Sequence, residues 1–114
     1  MMKLYVVVRE DLAPGLELAQ ALHAAVELAI LRPEDALAWR RESQNVAILG
    51  ERGGEAGLSA THARVRAMGA RPVLFHEPDL GGAFTAFAFL ADDASPAARC
   101  LSSLPLALRP PRAA

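Results

Sequence analysis

The chain has 114 residues, enough for one hydrophobic core and too few for two ordinary domains. Hydrophobic residues make up 53% of it and aromatics only 5%, so the apolar mass is mostly Ala, Leu and Val, which excludes a disordered chain and suits helices packed on a sheet. Twelve Lys and Arg against 13 Asp and Glu give a formal net charge of −1, which excludes binding to nucleic acid by bulk charge and leaves only a local contact.

Lys3 to Arg9 (KLYVVVR) is rich in β-branched residues and apolar on both faces, the pattern of a central strand covered on both sides. Pro14-Gly15 then reads as a tight turn. Leu18, Leu22, Ala25, Val26, Ala29 and Ile30 recur at helical spacing until Arg32-Pro33, which predicts a helix of about four turns with this apolar face toward the sheet. Pro33 opens a second helix, Glu34 to Glu42, with acids in its first turn, Arg40-Arg41 in its last and Trp39 as its anchor.

Gln44 to Gly50 is the second predicted strand, and Glu51 to Gly54 the loop leaving it. From Glu55 to Met68 an amphipathic helix is expected to turn Leu58, Thr61, Val65 and Met68 to the sheet and Ser59, His62, Arg64 and Arg66 outward, with Gly69 as its stop. Arg71 to Glu77 and Ala83 to Ala91 are strands joined by the turn Pro78 to Gly82, hence antiparallel. Ser95 is the expected N-cap and Pro96 the first residue of a short helix through Ser102. The order β-α-α-β-α-β-β-α predicts a three-layer α/β/α domain, residues 1–104, around a four-stranded mixed sheet, followed by an extended proline-rich tail, residues 105–114, read as a fraying end.

The longest apolar stretches, such as Leu28 to Leu31 and Phe84 to Ala91, fall short of the ~20 residues that span a bilayer, and no basic start with an apolar signal region opens the chain, so no membrane is expected and the setting is cytoplasmic. Cys100 is the only cysteine, which leaves no intramolecular disulfide and no zinc cluster. His23 and Glu27 are four apart on a helix but have no third ligand at a motif spacing, so neither a metal nor a cofactor is expected. Serine-elbow, P-loop and dinucleotide fingerprints are absent from the sequence.

Val8-Arg9-Glu10-Asp11-Leu12, then Gly15, then Ala19-Gln20-Ala21-Leu22-His23-Ala24 resembles the opening of the type II (archaeal/eukaryotic-type) peptidyl-tRNA hydrolase family: a strand, R-x-D-L, a glycine loop and A-Q-x-x-H-A. The motif match spans residues 5 to 24, and the element order follows the family to residue 91. Glu77-Pro78-Asp79-Leu80 with Thr85-Ala86 is similar to a divergent bacterial branch of that family. The resemblance implies a homodimeric mixed-sheet α/β/α fold that hydrolyses, without a metal, the ester joining a peptide to the 3′ end of tRNA. It departs from the family in the loop from Asp11 to Gln20, two residues shorter here, where Leu16-Glu17 follows Gly15 and neither family lysine is present.

On that resemblance the catalytic candidates are Glu77 or Asp79 to activate water, Thr85 to orient it, and His23 in support, while Gln20, Arg9, Asp11 and Gly15 are substrate-binding candidates. Each also has a plainer reading. His23 could bond a backbone carbonyl, Glu77 and Asp79 could be solvated turn acids, Thr85 a strand former, and Arg9 and Asp11 a local ion pair. Two carboxylates held close would instead raise one pKa and give a general base. The rival to the hydrolase is a non-catalytic dimeric binding module of the same fold that recognises a nucleotide, an RNA end or a protein partner.

Overall fold

A computed structural model describes residues 1–109. Its elements are β1 (Met2–Arg9), α1 (Pro14–Leu31), α2 (Pro33–Glu42), β2 (Val46–Glu51), α3 (Gly54–Ala67), β3 (Val73–Glu77), a 3₁₀ turn (Pro78–Leu80), β4 (Ala83–Asp92) and α4 (Pro96–Arg99). The sheet order is β2-β1-β4-β3, with β1 and β2 parallel and β4 antiparallel to both of its neighbours. The chain is thus α/β with a four-stranded mixed sheet, as the sequence predicts. Helical crossovers return β2 parallel to β1, and the short turn before β4 reverses it.

The pleat divides the core into two. Tyr5, Val7, Leu49, Phe87 and Phe89 meet Leu58 and Val65 of α3 and Ala97 and Ala98 of α4 on one face. Leu4, Val6, Val8, Ala86 and Ala88 meet Ala21, Ala24 and Leu28 of α1, with Trp39 of α2 packed alongside, on the other. The Trp39 indole N–H also donates to the Asn45 carbonyl at 2.8 Å, which fixes the entry to β2. Ser95 caps α4 as expected, its hydroxyl accepting from the Ala98 amide at 3.2 Å, although the helix ends at Arg99 rather than Ser102.

Helix α1 is rotated from its predicted orientation. Its buried residues are Glu17, Gln20, Ala21, Ala24 and Leu28, whereas Leu18, Leu22, Val26 and Ile30, expected in the core, are exposed. The sheet beneath already carries Leu4, Val6 and Val8, so a helix that presents two alanines approaches closer than one that presents a ridge of leucines. Pro14 and Gly15 are the first two residues of this helix rather than a turn. On α3, His62 turns inward instead of outward and Met68 is exposed.

The end of the described chain is docked rather than frayed. The Gly50 amide donates to the Pro105 carbonyl at 2.8 Å and the Ala107 amide to the Ile48 carbonyl at 2.9 Å, so this segment runs antiparallel along the outer edge of β2. An uncovered edge strand presents unpaired backbone groups, and the segment satisfies them. Pro110 and Pro111 of the expected tail lie outside the described residues. No helix among the described residues is long and apolar enough to cross a membrane.

Candidate functional site

Because β1, β2 and β3 all run the same way, their C-terminal ends share one sheet edge with the start of β4. Open α/β sheets bind ligands outside the C-terminal ends of their parallel strands. Arg9, Glu51, Glu77 and Thr85 gather at this edge from four strands, and the first turns of α1 bring Glu17 and Gln20 to it.

Three of the predicted residues form one hydrogen-bonded chain. The Thr85 hydroxyl donates to Gln20 Oε1 at 2.6 Å, and Gln20 Nε2 donates to Glu77 Oε1 at 3.1 Å. Gln20 and Thr85 are each 0% exposed and Glu77 is 9% exposed. Glu77 Oε2 accepts no hydrogen bond among the described residues and is not one of the atoms sealed from solvent. The chain therefore has a buried end at Thr85 and an open end at Glu77.

A break in the ladder aims Thr85. Phe75 pairs with Ala86 but His76 pairs with Phe84, so Thr85 has no partner on β3. Strict alternation from Phe87 and Phe89 would put Thr85 on the α3 face. The irregularity puts Phe84 there and turns Thr85 to Gln20 on α1. Re-aiming one side chain is what a β-bulge does, and bulges concentrate beside functional sites.

Arg9 and Asp11 form a second group at the same edge. The guanidinium makes a two-pronged contact with Asp11, Nε to Oδ1 at 3.0 Å and Nη2 to Oδ2 at 2.7 Å. Its Nη1 donates to the Phe84 carbonyl at 3.2 Å and approaches Glu55 Oε2 at 3.4 Å, while the Phe84 amide donates to the same Glu55 oxygen at 3.0 Å. Hydrogen bonding from Arg9 holds the Asp11 carboxyl below its ordinary pKa, and Asp11 in turn raises that of Arg9. Arg9 is thus occupied in holding the start of β4 and Asp11 together, with each of its three nitrogens already engaged.

The structure leaves the other candidates outside both groups. His23 is exposed and stacked on Phe75, with centroids 4.5 Å apart and planes at 12°, and makes no hydrogen bond to Glu77. Asp79 is exposed in the 3₁₀ turn, one residue beyond Pro78, and is not hydrogen-bonded to the chain from Thr85 to Glu77. Gly15 lies in the exposed first turn of α1 with open space where a Cβ would stand, so its glycine character is not required by packing.

Two further acids escaped the sequence reading. Glu51 is buried and accepts from the Thr61 hydroxyl at 2.6 Å and the Gly53 amide at 3.0 Å. A Cβ at Gly57 would stand 2.9 Å from its Oε1, so that glycine makes room for it. Glu17 is 3% exposed, on the inward face of α1. The available signal was an acid at position 17 followed three residues later by Gln20, a polar spacing on a helix whose remaining face is apolar. No group of three or more His, Cys, Asp or Glu among the described residues could hold a metal ion. No family model matches the chain, and no curated protein matches it.

Proposed function

We propose that this chain is a peptidyl-tRNA hydrolase-like protein of the type II kind, acting in the cytoplasm on the ester between tRNA and a peptidyl or N-blocked aminoacyl group. The observation that carries the reading is Glu77, whose Oε1 is fixed by Gln20 and whose Oε2 stays open at the ligand-binding edge of the sheet. A carboxylate held by one oxygen presents the other as a general base. Water gives a proton to Glu77 as its oxygen attacks the ester carbonyl. The carbon–oxygen bond to the 3′ end then breaks, and the proton passes to the leaving oxygen. Thr85 and Gln20 act as positioning residues, because both are wholly buried, Gln20 donates to the Glu77 carboxylate and Thr85 reaches it only through Gln20. Of the two acids considered, the hydrogen-bonded geometry favours Glu77 over Asp79.

A partner surface belongs to the same proposal. Leu18, Leu22, Val26 and Ile30 recur every four residues on α1, all exposed, and such a ridge packs against its own copy in a symmetric homodimer.

A non-catalytic binding module is the second reading, and a specific observation favours it: Arg9 is already engaged by Asp11, Glu55 and the Phe84 carbonyl, which leaves it little to offer a phosphate. Release of free tRNA from labelled N-acetyl-aminoacyl-tRNA separates the two. Under the hydrolase reading Glu77→Gln loses about 10²-fold or more, in the range typical of a general base, while Asp79→Asn and His23→Ala stay near the parent rate. Folded parent protein that releases no more tRNA than a buffer blank refutes ester hydrolysis and leaves the binding module.

A further inference from the structure

Beyond the Glu77 site, a cavity of about 890 Å³ opens at the β2 end of the same sheet edge. Glu10, Glu17, Glu51 and Arg52 line it, with Leu104, Pro105, Leu108 and Arg109 of the docked C-terminal segment and the hydroxyl-bearing Ser102 and Ser103. Three of its wall residues are acids and two are bases, so their pairing decides what the cavity can accept.

Glu10 is compensated twice, by Arg109 Nη1 at 2.7 Å on Oε1 and by Arg52 Nε at 3.5 Å from Oε2. Its side chain lies against Gly50, where any Cβ would collide with it, so the pair sits flat on the end of β2. Glu51 is satisfied by Thr61 and the Gly53 amide. Glu17 differs: it is 3% exposed, and its Oε2 is sealed from solvent without a single hydrogen-bond partner. Buried polar atoms are nearly always paired, and an orphan costs about 1–3 kcal/mol, so this one requires a reason.

We propose that the cavity binds a small aliphatic ligand through a primary ammonium group, with Glu17 as its anionic anchor. An ammonium offers three donors and a single positive charge, which complements a carboxylate with one unpaired oxygen. An anionic ligand would face three carboxylates with both arginines already committed to Glu10. A divalent cation would need more ligands than these acids bring together. Leu104, Pro105 and Leu108 supply apolar wall for an alkyl stem. Burial first, then repulsion from Glu10 and Asp11, raises the Glu17 pKa, and the Leu108 amide offsets this only in part. An incoming ammonium relieves that burden by compensating the ionised form.

The test uses the full chain and titration calorimetry at fixed ionic strength, with 1,5-diaminopentane as probe and 1,5-pentanediol and glutarate as neutral and anionic controls of similar length. We expect saturable binding of the diamine, a loss of at least tenfold in Glu17→Gln, and weaker binding of both controls. A second readout needs no substitution. Near the raised Glu17 pKa the ammonium displaces a proton, so the apparent heat changes with the ionisation enthalpy of the buffer. The charged groups around the carboxyl are Glu10, Asp11, Glu51, Arg52 and Arg109; all but Asp11 line the cavity, and Asp11 is held ionised by Arg9. Absence of saturable diamine binding to folded parent protein, equal binding by Glu17→Gln, or pentanediol or glutarate binding as tightly as the diamine overturns the proposal. None of these outcomes depends on tRNA release, so the cavity and the Glu77 site stand or fall separately.

Discussion

Replacing Gln20 by Met tests whether the buried chain holds α1 to the sheet. Met matches Gln in length and suits a helix, so packing is nearly preserved while both hydrogen bonds are lost. One of them runs to a carboxylate, worth about 1.5–3 kcal/mol, and the other to a neutral hydroxyl, worth about 0.5–1.5 kcal/mol. Thr85 Oγ1, at 0% exposure, is left without its acceptor, and Glu77 Oε1 without its donor. A loss of about 2–4 kcal/mol follows, a large part of the ~5–15 kcal/mol typical of a domain. Urea unfolding reads it as a lower midpoint at unchanged slope. Thr85→Val removes the same Thr–Gln bond, so its cost shrinks by about 1 kcal/mol when measured in the Gln20→Met background. A loss below about 1 kcal/mol for Gln20→Met, or strict additivity with Thr85→Val, refutes the structural role assigned to the chain.

His62 sits edge-on to Phe84 and Phe87 at 5.8 and 5.5 Å with Nε2 buried and unpaired, and burial, aided by Arg66, lowers its pKa from 6.5. The unfolded chain therefore binds a proton first as pH falls, and stability should decline below pH 6.5 toward the lower folded value; His62→Phe should flatten that part of a thermal-melting profile and raise stability by roughly 1 kcal/mol. Leu22 is 64% exposed in the α1 ridge, so Leu22→Glu should change monomer stability by no more than about 0.5 kcal/mol yet abolish self-association in sedimentation, and a parent protein monomeric at its solubility limit sinks the dimer.

β1, β4 and α4 were legible because each carried a local signal: β-branched residues in Tyr5 to Val8, a Pro and two Gly before β4, and Ser95-Pro96 before α4. The inward face of α1 was not, because that helix is apolar on more than one side. Periodicity weighted by side-chain size selects Leu18, Leu22, Val26 and Ile30, whereas the sheet accepts Ala21 and Ala24, the smaller residues. The docking of residues 105–107 was also hidden, since nothing in Pro105-Leu106-Ala107 says which strand edge it covers.

The rotation of α1 bears directly on the site. With the leucine ridge as core, Gln20 would face away from the sheet, yet it is wholly buried. Its burial requires three coincident conditions: small neighbours on α1 that bring the helix close, a carboxylate at the end of β3, and a bulge that turns Thr85 to the same face. Each alone would leave a buried amide unpaired, at a cost of about 1–3 kcal/mol. A packing-only core would fill the position with Leu or Met at no such risk. Polar groups that break the local pattern and are then fully compensated by distant elements mark places where something other than stability shaped the sequence. A trace of the bulge in the sequence is the spacing of Phe84, Phe87 and Phe89, where a three-residue step interrupts the alternation of a strand at the residue the bulge redirects.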